Sequence, residues 1–96
     1  MKEVQYNAVF VYEKDGINVI FPSCPGCLTC GNADIQAKKN AQDALRVWCE
    51  VTLSVKSTLP EDFTLLELNK WINEHKKQWK KCKWTVKTIK ALVGDK

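Results

Sequence analysis

Cys24, Cys27 and Cys30 follow one another at every third position, the spacing with which a bacterial iron-sulfur run opens. Cys49, Cys82 or His75 could supply a distant fourth ligand. Thiolates bind a metal only if they converge, however, and on a strand residues three apart point to opposite faces. A structural zinc site also draws on two cysteine pairs rather than one triplet. The spacing therefore favours structural roles over a metal centre, and Cys49 and Cys82 read as small buried hydrophobes. Nucleophilic catalysis by a thiol needs a base beside it. The single histidine, His75, falls on an apolar helical face, where packing is the commoner outcome. No catalytic residue, metal ligand or cofactor is expected.

A second group of chemistry-bearing residues lies in the other half. Between Lys70 and Lys90 eight lysines face one acid, Glu74, with Trp71, Trp79 and Trp84 interleaved. Lysines on phosphates beside an exposed indole would grip nucleic acid, with Lys76, Lys77, Lys80, Lys81 and Lys83 as the candidate contacts. The simpler arrangement packs the indoles inward and leaves the lysines as a solvated face. The imbalance is local: residues 1–59 carry six basic and six acidic side chains, so the formal net charge of +4 comes from residues 60–96 alone. A basic half attracts phosphate or an acidic protein surface.

Positioning these groups falls to elements legible in the pattern. Residues 4–12 alternate, with Val4, Tyr6, Ala8, Phe10 and Tyr12 on one side, as on a half-buried strand. Asp15-Gly16 supplies a turn, and Ile17, Val19 and Phe21 alternate again, which makes a hairpin. Pro22 ends the second strand, Pro25-Gly26 makes a further turn, and residues 27–30 offer a short third strand. From Ala33 to Leu53 the period becomes helical, with Ala37, Ala41, Ala44, Leu45 and Trp48 on one stripe and Asn32 as the N-cap. Residues 54–63 form a connector. Leu65, Leu68, Ile72, His75, Trp79 and Cys82 recur at intervals of three and four, predicting a second helix over 64–80. The β-branched stretch from Trp84 to Ile89 predicts a closing strand, a continued helix being the competing possibility. The sum is an α+β fold: a three-stranded antiparallel meander, an amphipathic helix packed on it, a second helix and a C-terminal strand, in the order β-β-β-α-α-β.

With 96 residues and 45% hydrophobic content, the chain fits one domain with a modest core. No apolar run is long enough to span a membrane and no signal-peptide pattern opens the chain, so the expected compartment is the cytoplasm, with no membrane partner. Five cysteines, an odd number, agree with reduced thiols there.

The Asp15-Gly16 turn, the run Phe21-Pro22-x-x-Pro25-Gly26-Cys27-x-Thr29-x-Gly31 and the helix positions Ala37, Asn40, Ala41, Ala44, Leu45 and Trp48 resemble the N-terminal domain of HicB-like antitoxins, whose fold is a partial ribonuclease H-like one. The resemblance covers some fifty residues, and residues 54–96 lie outside it. It implies a single HicB-like domain over 1–96: a core at 1–53, the connector at 54–63, and a basic helix with the closing strand at 64–96. It implies a cytoplasmic protein of a toxin-antitoxin system that silences a small basic HicA-type toxin, a messenger-RNA nuclease, by protein binding and occlusion. Many members also carry a C-terminal DNA-binding module, for which residues 54–96 leave little room. A nuclease of ribonuclease H type needs carboxylates beginning on its first strand, and residues 4–12 contain none, so binding rather than catalysis is expected. Tyr6, Phe21, Pro22 and Pro25, around the hairpin and turn, are the expected partner contacts. An exposed sheet edge also predicts homo-oligomerisation. Two other readings stand beside this one: an orphan nucleic-acid-associated domain using the lysine- and tryptophan-rich half, and a cysteine metal-binding module.

Overall fold

A computed structural model describes residues 1–55 and 57–94. Lys56 of the expected connector, and Asp95 and Lys96 of the expected basic region, lie outside the described residues. The strands β1 (Lys2–Glu13), β2 (Gly16–Ile20), β3 (Leu28–Gly31) and β4 (Lys83–Val93) form one antiparallel sheet in spatial order β3-β2-β1-β4. Between β3 and β4 the chain makes two helices, α1 (Asp34–Ser54) and α2 (Leu65–His75), and a short 3-10 turn over Lys76–Trp79. The expected β-β-β-α-α-β order is the order found.

β1 is the spine because its two faces serve two cores. Val4, Tyr6, Ala8 and Phe10, with Ile17 and Val19 of β2, meet the Ala37, Ala41, Leu45 and Cys49 stripe of α1. Val9 and Val11 point the other way and meet Leu68 and Ile72 of α2 and Trp79. Residues Ala8–Val11 are thus buried without a break, as expected of a strand covered on both faces. Asn7 lies where β2 has already ended, and its backbone N–H and side-chain amide both donate to Asp62 Oδ2 at 3.0 Å. Asp62 Oδ1 accepts from Ser23 Oγ at 2.6 Å, so one carboxylate ties the connector to β1 and to the segment after β2.

The helix ends depart from the sequence pattern. The N-cap of α1 is Ala33, with no side-chain cap, while Asn32 sits one residue outside and donates its backbone N–H to Gln36 Oε1 at 2.6 Å. α2 starts with a full capping box, Thr64 with Glu67, a readable T-x-x-E signal. It stops at His75, short of the expected end at residue 80. The next residues tighten into the 3-10 turn, and Lys80 takes a positive φ of 52°, with its N–H bonded to Lys77 O at 3.3 Å. That reversal carries the chain into β4 instead of prolonging the helical seam. β4 then pairs with β1 from Lys2↔Val93 to Tyr12↔Lys83. Its Ile89 and Val93 reach 0% exposure, and each buried aliphatic side chain is worth about 1.5–3 kcal/mol, which favours the strand over a continued surface helix. No helix among the described residues is long and apolar enough to cross a membrane.

Candidate docking groove

The corner from Phe21 to Gly31 is shaped by its backbone. Cys24 N–H donates to Phe21 O at 3.1 Å, Cys27 N–H to Cys24 O at 2.9 Å, and Phe21 N–H to Cys27 O at 3.2 Å. Pro25 and Gly26 hold the middle of the tight turn, and Gly26 adopts φ 86°, a conformation glycine enters at little cost. Phe21, Cys24 and Cys27 fold beneath it into the core. Three ties then fix the corner to α1. Trp48 Nε1–H donates to Pro25 O at 3.0 Å, and Asn40 Nδ2–H donates to Cys30 O at 2.8 Å. At Gly31 a Cβ would come within 2.6 Å of the Ala37 nitrogen, so only glycine lets the first turn of α1 sit this close to β3.

The result is an open groove of about 570 Å³ between β3 and α1. Leu28 and Thr29 line one wall, and Ala44, Val47, Trp48 and Val51 line the other. Leu28 is 65% exposed, Val47 49% and Val51 57%, so the apolar lining faces solvent. β3 is an edge strand, paired with β2 alone among the described residues. Apolar side chains next to free strand edge suit an extended or helical segment of another protein, which would gain backbone bonds from the edge and burial from the groove. The chemistry on offer is recognition; no acid-base pair converges on the groove.

Three of the four expected contacts lie elsewhere. Tyr6 is 4% exposed, donates its hydroxyl to Pro60 O, and has its phenol pushed up to about 12, by burial first and then by Cys24, Cys49 and Asp62. Phe21 is 1% exposed, and Pro22 is also buried. Hairpin alternation turns Tyr6 and Phe21 toward α1 and into the core. Pro25 is exposed on the turn beside the groove. The sequence reading missed Leu28, Val47 and Val51. A usable signal existed, since Val47 and Val51 stand four apart, outside the alanine stripe of α1, where polar residues were due.

The thiols divide by burial. Cys24, Cys27 and Cys49 share one core cluster, and burial pushes each thiol up, Cys27 to about 12 with Cys49 adding to it. Cys30 is exposed and Cys82 half-buried against the α2 core. Among the described residues no three His, Cys, Asp or Glu side chains are grouped to hold a metal ion. Neutral buried thiols are inert.

The basic candidates follow one another along the chain between α2 and the start of β4. Lys76, Lys77, Lys80, Lys81 and Lys83 are all exposed around the 3-10 turn and the start of β4. The tryptophans between them pack in series: Trp71 stacks on His75 at 4.0 Å and lies 6.0 Å from the buried Trp79, which lies 6.1 Å from Trp84, the exposed member at 41%. His75 Nδ1 lies 2.7 Å from Trp71 O, so the histidine is engaged within its own helix end.

Residues 7–94 match the family model for the HicB-like antitoxin of bacterial toxin-antitoxin systems. The match runs through the connector, α2 and β4, which the sequence resemblance had left outside. No curated protein matches the chain significantly. Among solved structures, a toxin-antitoxin complex from Streptococcus pneumoniae is similar with a TM-score of 0.78 at 16% identity, over 99% of this chain and 76% of that one. A HicA3 and HicB3 toxin-antitoxin complex gives 0.64 at 18% identity, over 96% and 100%. The N-terminal domain of Burkholderia pseudomallei antitoxin HicB gives 0.60 at 18% identity, over 97% and 100%. At these identities the likeness is one of fold.

Proposed function

Because the chain belongs to the HicB-like antitoxin family, we propose that it neutralises a small basic HicA-type toxin by covering it, with the groove between β3 and α1 as the contact surface. Residues 1–96 act as one binding domain in the cytoplasm, and no bond is made or broken by this chain. The observation that carries this reading is the groove itself, in which Leu28, Val47 and Val51 stay exposed beside a free strand edge while Trp48, Asn40 and Gly31 hold its walls fixed. A wall held rigid before binding spends little ordering entropy on a partner.

The test is co-expression with any small basic protein encoded beside this gene. The wild-type chain is expected to restore growth and to co-purify with that protein. Leu28→Asp combined with Val47→Asp is expected to weaken capture about a hundredfold, as for paired anchors at an interface centre. Undiminished rescue by this double variant, with unchanged circular dichroism, would remove the groove from the interface; absence of rescue by the wild type would remove the toxin.

A second reading concerns the lysine turn. Five exposed lysines beside the half-exposed Trp84 form a surface that nucleic-acid phosphates would fit. Electrophoretic mobility shifts with single-stranded RNA at low salt test it, Lys77→Glu with Lys81→Glu being the variant that should abolish any shift.

A further inference from the structure

The groove between β3 and α1 presents two templates to an incoming segment, a strand edge and a helix face, and only the second is complete. Phe21 N–H donates to Cys27 O, which sets the alternation of the ladder: Thr29 and Gly31 turn their backbone groups toward β2, while Leu28 and Cys30 turn theirs outward. The outward carbonyl of Cys30 is already filled, because Asn40 Nδ2–H donates to it at 2.8 Å. What remains is the N–H and C=O of Leu28 and the N–H of Cys30. Strand addition draws its affinity from a run of main-chain bonds, and so short a run does not hold a strand in register. The helix face is longer. Asp43, Val47 and Val51 stand four residues apart along the exposed side of α1 and line the groove, forming a ridge over about 12 Å of helix axis. Beside that ridge lies the row of Ala44 and Trp48, where the small Ala44 leaves a furrow.

We propose that the occupant of this groove is an amphipathic helix of the partner, seated on the Asp43, Val47 and Val51 ridge with a basic residue facing Asp43. The inference rests on the toxin reading for the partner's identity and specifies which kind of segment is held. Rows of residues four apart are the ridges by which two helices most often interdigitate, at a crossing angle of about 50°, so the partner helix lays its own apolar row into the furrow at Ala44. Leu28 meets that helix from the β3 side. The charge is the specificity element. Asp43 is the one charged side chain in the lining, and among the described residues no hydrogen bond or ion pair engages it. Covering it with an apolar helix would leave a carboxylate desolvated and unpaired, whereas a lysine or arginine one turn from the apolar row compensates it. The ridge therefore selects a helix with apolar residues at i, i+3 or i+4, and i+7 and a cation beside the first of them. A small basic protein supplies such a segment, and the position of Asp43 at one end of the ridge fixes the direction in which it lies.

Amide hydrogen exchange of the full chain, free and in the complex purified after co-expression, tests it together with a charge swap. Exchange at Leu28 and Cys30 is expected to stay within about tenfold of the free rates, whereas strand addition would bond both amides and slow them by about a hundredfold or more. The partner segment that gains protection is expected to carry apolar residues at helical spacing and a lysine or arginine. Asp43→Lys is expected to weaken capture about tenfold at low salt and less at high salt. Changing that partner lysine or arginine to Asp in the Asp43→Lys background is expected to restore capture. Strong new protection at Leu28 and Cys30, a protected partner segment with strand alternation, or an Asp43→Lys variant that captures as the wild type does would each overturn the helix while leaving the toxin reading in place. A wild-type chain that captures no small basic protein would overturn both.

Discussion

The two edges of the sheet solve opposite problems. β3 is four residues long and braced by α1, which approaches to within a glycine's width and builds an apolar wall beside it. β4 is eleven residues long, regular and lysine-bearing, and little of its outer side is covered by other elements. A short edge beside a shaped wall gives few backbone bonds but much side-chain specificity, which suits a different protein. A long edge gives many backbone bonds and little shape, so side-chain register rather than a groove sets what pairs there.

The contrast can be broken one side at a time. The largest effect is expected from Gly31→Val, whose side chain would collide with the Ala37 backbone and push α1 from β3 at a cost of about 3 kcal/mol in chemical denaturation, and abolish capture of the proposed partner. Asp62→Ala strips the Asn7 and Ser23 donors of their acceptor and should cost about 2 kcal/mol, measured in the same way. It strikes away from the groove and should weaken partner capture only through stability. Gly26→Ala forces a side chain into φ 86° and should cost about 1 kcal/mol, loosening the turn beside the groove. The smallest effect belongs to Asp34. The hydrogen bond from the Tyr12 hydroxyl, and then Lys87, hold its carboxyl below the usual carboxylate value. A carboxyl with a depressed folded-state pKa adds stability above its unfolded value of about 3.9 and loses it as pH falls through the folded value. Thermal unfolding of Asp34→Asn should therefore differ slightly from wild type near neutrality and converge with it in acid.

Much of this was legible in the chain. The Pro-Gly turn, the alternation of Tyr6, Ala8 and Phe10, and the alanine stripe at Ala37 and Ala41 each follow from local steric rules, and all stand where those rules put them. The candidate site was less legible, because alternation says that a residue faces one side of a strand but not whether that side is core. Tyr6 and Phe21 looked like hairpin contacts and are interior, because α1 returns over them. Val47 and Val51 stand outside the alanine stripe of α1, and they become a wall only once β3 lies beside them.

The sequence by itself determined the opening hairpin, the first helix and the glycine-requiring corner, since these depend on contacts between near neighbours in the chain. Only the tertiary structure decided that β4 closes beside β1, that α2 stops at His75, and which apolar residues stay outside. Those outcomes depend on residues some eighty positions apart competing for the same buried surface, and periodicity does not encode which of them meet.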